Sequence, residues 1–82
     1  MLPMDVEVDG CIATILEVAK LPLGEYQASV QVRYRDVLTR VFQVVYKDGR
    51  ELAMKLRTEI AKLKWALMLY GKEELRRRGI IL

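Results

Sequence analysis

The chain contains no histidine and no asparagine, and it has one cysteine, one tryptophan, one phenylalanine and two prolines. Without histidine, Cys/His zinc sites, Ser-His triads and imidazole acid–base catalysis are excluded within one chain. A single cysteine, Cys11, closes no intrachain disulfide. Eighty-two residues sit near the size at which one core needs a disulfide, a metal or a partner to be stable. Of these devices, association is the one left. Long apolar runs are also missing: Trp65–Tyr70 is the longest, far short of the ~20 residues needed to cross a bilayer. No membrane contact is expected. The first ten residues carry Asp5, Glu7 and Asp9 with neither a basic n-region nor an apolar run, so they do not read as a signal peptide and a cytoplasmic chain is expected.

What the chain has in abundance is charge, with 14 Lys and Arg against 11 Asp and Glu. Glutamine occurs three times. Scarce amides with abundant Lys, Arg and Glu make a thermophile-like balance, because amides deaminate when hot and ion pairs cost less to desolvate there. The charge is unevenly distributed. Residues 1–25 hold five acids against Lys20 alone, a net of −4, whereas residues 26–82 hold thirteen bases against six acids, a net of +7.

Hydrophobic patterning predicts a single α+β domain over residues 1–82: a four-stranded antiparallel sheet followed by one long C-terminal helix, a two-layer sandwich. Met4–Val8 alternates apolar and acidic residues, and Asp9-Gly10 favours a type I′ turn into Cys11–Val18. On that second strand Ile12, Leu16 and Val18 lie opposite Cys11, Ala13 and Ile15, so both faces are expected to be covered. A loop at Leu21–Gly24 leads to the clearest strand, where Tyr26, Ala28, Val30, Val32 and Tyr34 alternate with Gln27, Ser29, Gln31, Arg33 and Arg35. A two-residue turn at Arg35-Asp36 sets Tyr34 opposite Val37 and starts a fourth strand running to about Tyr46. Asp48 and Glu51 then suit a capping-box variant at the start of the helix.

The helix carries two apolar faces. Leu52, Leu56, Ile60, Leu63, Leu67 and Tyr70 form the stripe expected to cover the sheet. Met54, Ala61, Trp65 and Met68, with Leu69 at the margin, fall on roughly the opposite side at about 100° per residue. One sheet face cannot bury both stripes, so this second face is expected to form a homodimer interface. Gly71 reads as a C′ glycine, with one or two further turns over Lys72–Arg78 ending at Gly79 and an apolar tail, Ile80–Leu82.

Two constellations point to nucleic acid. With Tyr34 and Val37 inward, the outer sheet face would display Gln27, Ser29, Gln31, Arg33 and Arg35 beside Leu38, Arg40, Phe42, Val44 and Tyr46, cations for phosphates interleaved with rings for bases. A one-residue change of register would instead send Phe42 and Tyr46 inward. Lys72 with Arg76, Arg77 and Arg78, supported by Lys62 and Lys64, would clamp a phosphate backbone. The bland alternative is a self-paired helix end, because Glu73 and Glu74 lie close enough to Arg77 and Arg78.

The function expected first is therefore a small basic nucleic-acid-binding protein, its partner DNA or RNA. The rival is a non-enzymatic protein-interaction or assembly module of a larger protein complex, dimeric through Met54, Ala61, Trp65, Met68 and Leu69. The order ββββα also occurs in some dimeric single-strand DNA-binding domains, a likeness of order that carries no function. No enzyme activity, cofactor or metal is expected. Asp5, Glu7 and Asp9 read as a charged edge strand, and Cys11 as a small core residue.

Overall fold

A computed structural model describes residues 1–82. Five strands, β1 (Met4–Val8), β2 (Cys11–Lys20), β3 (Tyr26–Tyr34), β4 (Val37–Leu38) and β5 (Phe42–Tyr46), form one antiparallel sheet. The helix α1 (Gly49–Arg77) packs on one face of it. The α+β class and element order follow the sequence pattern, with the expected fourth strand divided in two.

Asp9 and Gly10 both take positive φ, 49° and 78°, the backbone of a type I′ turn, and close Val8 against Cys11. Cys11, Ala13 and Ile15 point into the core. Between Ile15 and Glu17 the register with β3 shifts at Leu16, so that Val18 comes opposite Ala28. This bulge corrects the expected two-sided burial of β2. It moves Val18 to the same side as Ile15, and Ile12, opposite Arg33, stays on the uncovered face.

β3 is the central strand, and its alternation holds throughout: Ala28, Val30 and Val32 are fully buried while Arg33 is exposed. Tyr34 lies opposite Val37 across the Arg35-Asp36 turn, as its spacing predicts. Continuing that register would pair Val30 with Val41. Its actual partner is Phe42, so one extra residue has been taken up across Thr39–Val41. Because strand side chains alternate with period two, this slip turns Phe42, Val44 and Tyr46 inward. The outward display of those three side chains is therefore corrected.

The helix begins with a reciprocal cap. The Asp48 carboxylate accepts from the Glu51 N–H at 2.9 Å, and the Glu51 carboxylate accepts from the Lys47 N–H at 2.9 Å. Leu56, Ile60 and Leu63 are buried on the sheet and Leu52 and Leu67 partly so, whereas Tyr70 lies beyond its cover and is exposed. Gly71, at φ 80° and ψ 167°, breaks the helical geometry. The chain resumes as a short helical stretch that carries Leu75 into the core and ends in a Schellman motif, with Gly79 N–H donating to Arg76 and Ile80 N–H to Leu75. The tail then returns beside β4: Arg40 N–H donates to the Ile80 carbonyl, Leu82 N–H donates to the Leu38 carbonyl, and Ile81 is buried. Burying side chains such as Leu75 and Ile81 is worth about 1.5–3 kcal/mol each.

Candidate interaction surfaces

The outer sheet face is built from the polar half of each alternating strand. On the edge strand β5, the Gln43 side-chain oxygen accepts from Gln27 Nε2 at 3.2 Å and from Ser29 Oγ at 3.0 Å. Thr14 Oγ1 donates to Asp5 at 2.6 Å, and Gln31 Nε2 donates to the Thr39 carbonyl at 2.9 Å. These groups satisfy one another across strands. The rings expected there are elsewhere: Phe42 and Tyr46 pack against the core, and Tyr46 stacks on Tyr26 with ring centroids 5.6 Å apart. Arg33 remains on this face, flanked by Ile12 and Leu38.

The other cations fall into two groups. Around the β3–β4 turn, Arg35 lies over the Tyr34 ring at 5.0 Å, Lys64 approaches the same ring at 5.2 Å, and Lys72 pairs with Asp36. That ion pair holds the Asp36 carboxyl below the usual carboxylate range, chiefly through the Lys72 hydrogen bond. At the helix end Arg77 and Arg78 both pair with Glu74, at 3.3 and 2.8 Å, Arg78 also covers the Tyr70 ring at 4.7 Å, and Arg76 Nε donates to the Leu82 carbonyl. Arg40 lies between, its backbone tied to the tail. Of the nine residues expected to bind nucleic acid, Arg33, Arg35 and Lys72 gather around Asp36, which Arg76 also influences, and Arg40 lies with Arg76–Arg78 by the tail. Phe42 and Tyr46 are core residues, and Arg76–Arg78 close a helix.

Asp5 is engaged by Thr14, and no three acidic or sulfur ligands converge on one point. Burial pushes the Cys11 thiol pKa up, with Lys64 partly opposing and Asp9 adding to the rise. A thiol so placed is a poor source of thiolate.

The outward face of α1 is different in kind. Met54, Trp65, Met68 and Leu69 are each 60–67% exposed, and Ala61 is exposed between them. All five residues expected at the interface therefore lie on one solvent-facing side of α1, whereas Tyr70, 52% exposed, lies on the opposite side, in line with Leu63 and Leu67 but past the end of the sheet. Periodicity puts Tyr70 on the covered stripe because it does not show where the sheet stops. A second feature missed by the pattern is an apolar groove of about 370 Å³ beside the slip in register, lined by Val41, Phe42, Leu63, Ala66 and Ile80. It exists because the tail folds back, an event with no periodic signature.

No protein-family model, no curated protein and no solved structure matches this chain. No helix is long and apolar enough to cross a membrane.

Proposed function

We propose that the chain is a non-enzymatic protein-interaction module whose working surface is the outward face of α1. The observation that supports this reading is the exposure of Met54, Trp65, Met68 and Leu69 on one side of one helix, the last three clustered within five residues. Side chains of this size left about three-fifths exposed contribute on the order of 100 Å² each. The four thus reach roughly 400 Å², within the range of the largest apolar patch on an ordinary monomer, a patch that is often functional. Their exposure leaves the cost of hydrating apolar surface to be relieved by a partner. Only fourteen of the 82 residues are buried, so added burial would matter more here than in a larger domain.

The nucleic-acid reading loses the features that would distinguish it from a generally basic surface. Its rings point inward, and its C-terminal arginines already hold Glu74 and Leu82. What supports it now is the neighbourhood of Arg33, Arg35 and Lys72.

Two measurements on the full chain separate the readings. Acrylamide quenching of the single tryptophan should find Trp65 shielded in the assembled protein and opened in Met68→Glu. Fluorescence anisotropy at low salt should detect no saturable binding to single-stranded DNA, RNA or duplex. A Trp65 quenched as freely as the free amino acid at every concentration, together with nucleic-acid binding lost in Arg33→Ala/Arg35→Ala, would reverse the assignment.

A further inference from the structure

We infer that the occupant of the α1 face is a second copy of this chain, its helix antiparallel to the first and crossing it at Ala61. The inference rests on the interaction reading above and adds the identity and orientation of the partner.

The exposed stripe is arranged symmetrically about Ala61. Met54 lies seven residues before it and Met68 seven after, Arg57 four before and Trp65 four after, and Ala53 eight before and Leu69 eight after. All six are on or beside the uncovered side of α1, and all six are exposed. A two-fold axis beside Ala61, perpendicular to α1, would bring each residue level with the one equally far on the other side, and those pointing within about 40° of Ala61 into contact. Met54 then meets the partner's Met68 and Arg57 meets the partner's Trp65, while Ala53 and the partner's Leu69 stand level on opposite flanks of the pair. Each contact occurs twice.

The chemistry of these pairs is complementary. Unbranched methionines adapt their shape to one another. The Arg57 guanidinium enters none of the chain's five ion pairs, so it is free to lie over the indole face as a cation–π partner. At the crossing, Ala61 has no side chain beyond Cβ, so the axes can approach to the short end of the usual 8–10 Å. With Cα atoms about 2.3 Å from each axis, axes 8–10 Å apart would set the two Ala61 Cα atoms roughly 3.4–5.4 Å apart. The total area buried, roughly 1,000 Å², reaches the lower bound for a specific interface.

A parallel pair fails on the same residues. It would set Arg57 against the partner's Arg57 and Trp65 against the partner's Trp65, with like charges opposed and helix dipoles aligned side by side. The antiparallel pair opposes the dipoles instead, and because α1 lies over one sheet face only, both sheets remain on the outside. The assembly is sheet, helix, helix, sheet.

Cysteine cross-linking of the full chain tests this arrangement. A disulfide needs Cα atoms about 4.4–6.8 Å apart, so Ala61→Cys should form a covalent dimer on mild oxidation. Met68→Cys alone should not, since its two copies would lie about 20 Å apart along antiparallel helices of 1.5 Å rise. Mixed Met54→Cys and Met68→Cys samples should give the cross-linked heterodimer, and Ala61→Cys should react at least about tenfold faster than Met68→Cys. As a non-covalent check, Arg57→Gln should raise the dimer dissociation constant several-fold with an unchanged far-UV spectrum. A chain that sediments as an assembly while Met68→Cys links to itself as fast as Ala61→Cys would overturn the antiparallel arrangement and leave the interaction reading standing. A wild-type chain that sediments as a 9.5 kDa monomer at all concentrations would overturn both.

Discussion

Thr39 and Val32 are joined by two hydrogen bonds of different kinds: the Thr39 N–H donates to the Val32 carbonyl at 2.9 Å, and the Val32 N–H donates to the Thr39 hydroxyl at 2.9 Å. The side chain takes the place of a backbone carbonyl where the strand gains a residue. This substitution allows β4 and β5 to pair with β3 in different registers without stranding the buried Val32 amide, and it is what turns Phe42 and Tyr46 toward the helix. Thr39 is itself 5% exposed, so neither group has water as an alternative.

Thr39→Val, which keeps the shape and removes the acceptor, should therefore cost about 1–3 kcal/mol, the penalty of an unsatisfied buried donor. Urea unfolding measures it. Thr39→Ser should retain most of the stability, and a Thr39→Val variant as stable as the parent would mean that the hydroxyl is dispensable at the slip.

Phe42 and Arg33 should respond to alanine in opposite ways. Phe42 is partly buried against the core, and Phe42→Ala should cost about 2–4 kcal/mol, somewhat below the usual loss for a fully buried ring. Arg33→Ala, on the exposed face, should stay within about 0.5 kcal/mol of the parent. A Phe42→Ala chain that unfolds at the parental urea concentration would place the ring outside the core.

Gly71 occupies a region of backbone space, φ 80° and ψ 167°, that is essentially restricted to glycine. A Cβ there would meet nothing within 4 Å, so any effect of substitution comes from the backbone alone. Gly71→Ala should cost about 1–3 kcal/mol and loosen Leu75 and Ile81 with it. Amide exchange is expected to accelerate over residues 72–82 more than over β1–β3. Uniform acceleration over the whole chain would mean that the last segment does not open separately.

Cys11 links stability to alkaline pH. Its folded pKa is raised by burial, so the folded thiol keeps its proton where the unfolded one has lost it. Such a group contributes fully below the unfolded value, about 8.5, and its contribution falls as pH rises from there through the folded value. Cys11→Ala should flatten that part of the stability profile, and the native thiol should react with a thiol reagent only as fast as the chain opens. Rapid native labelling at pH 8 would contradict the burial.

The α+β class, the Asp9-Gly10 hairpin, the central strand, the Asp48 cap and both faces of α1 were legible in the residues themselves. Each is a local property: side-chain period, turn chemistry and capping act over a few residues and leave a repeating mark. The slips in register at Leu16 and at Thr39–Val41, the fold-back at Gly71 and the docking of Ile81 beside β4 were decided by tertiary structure. There a single inserted residue reverses which face is buried, and the choice depends on whether Val32, Thr39 and Ile81 can satisfy one another's backbone across segments distant in sequence. This is why Phe42 and Tyr46 left the sheet face on which the pattern placed them, while Met54, Ala61, Trp65, Met68 and Leu69 stayed together on one side of α1. The first placement required two strands to stay in phase, and the second required only the 3.6-residue period of one helix.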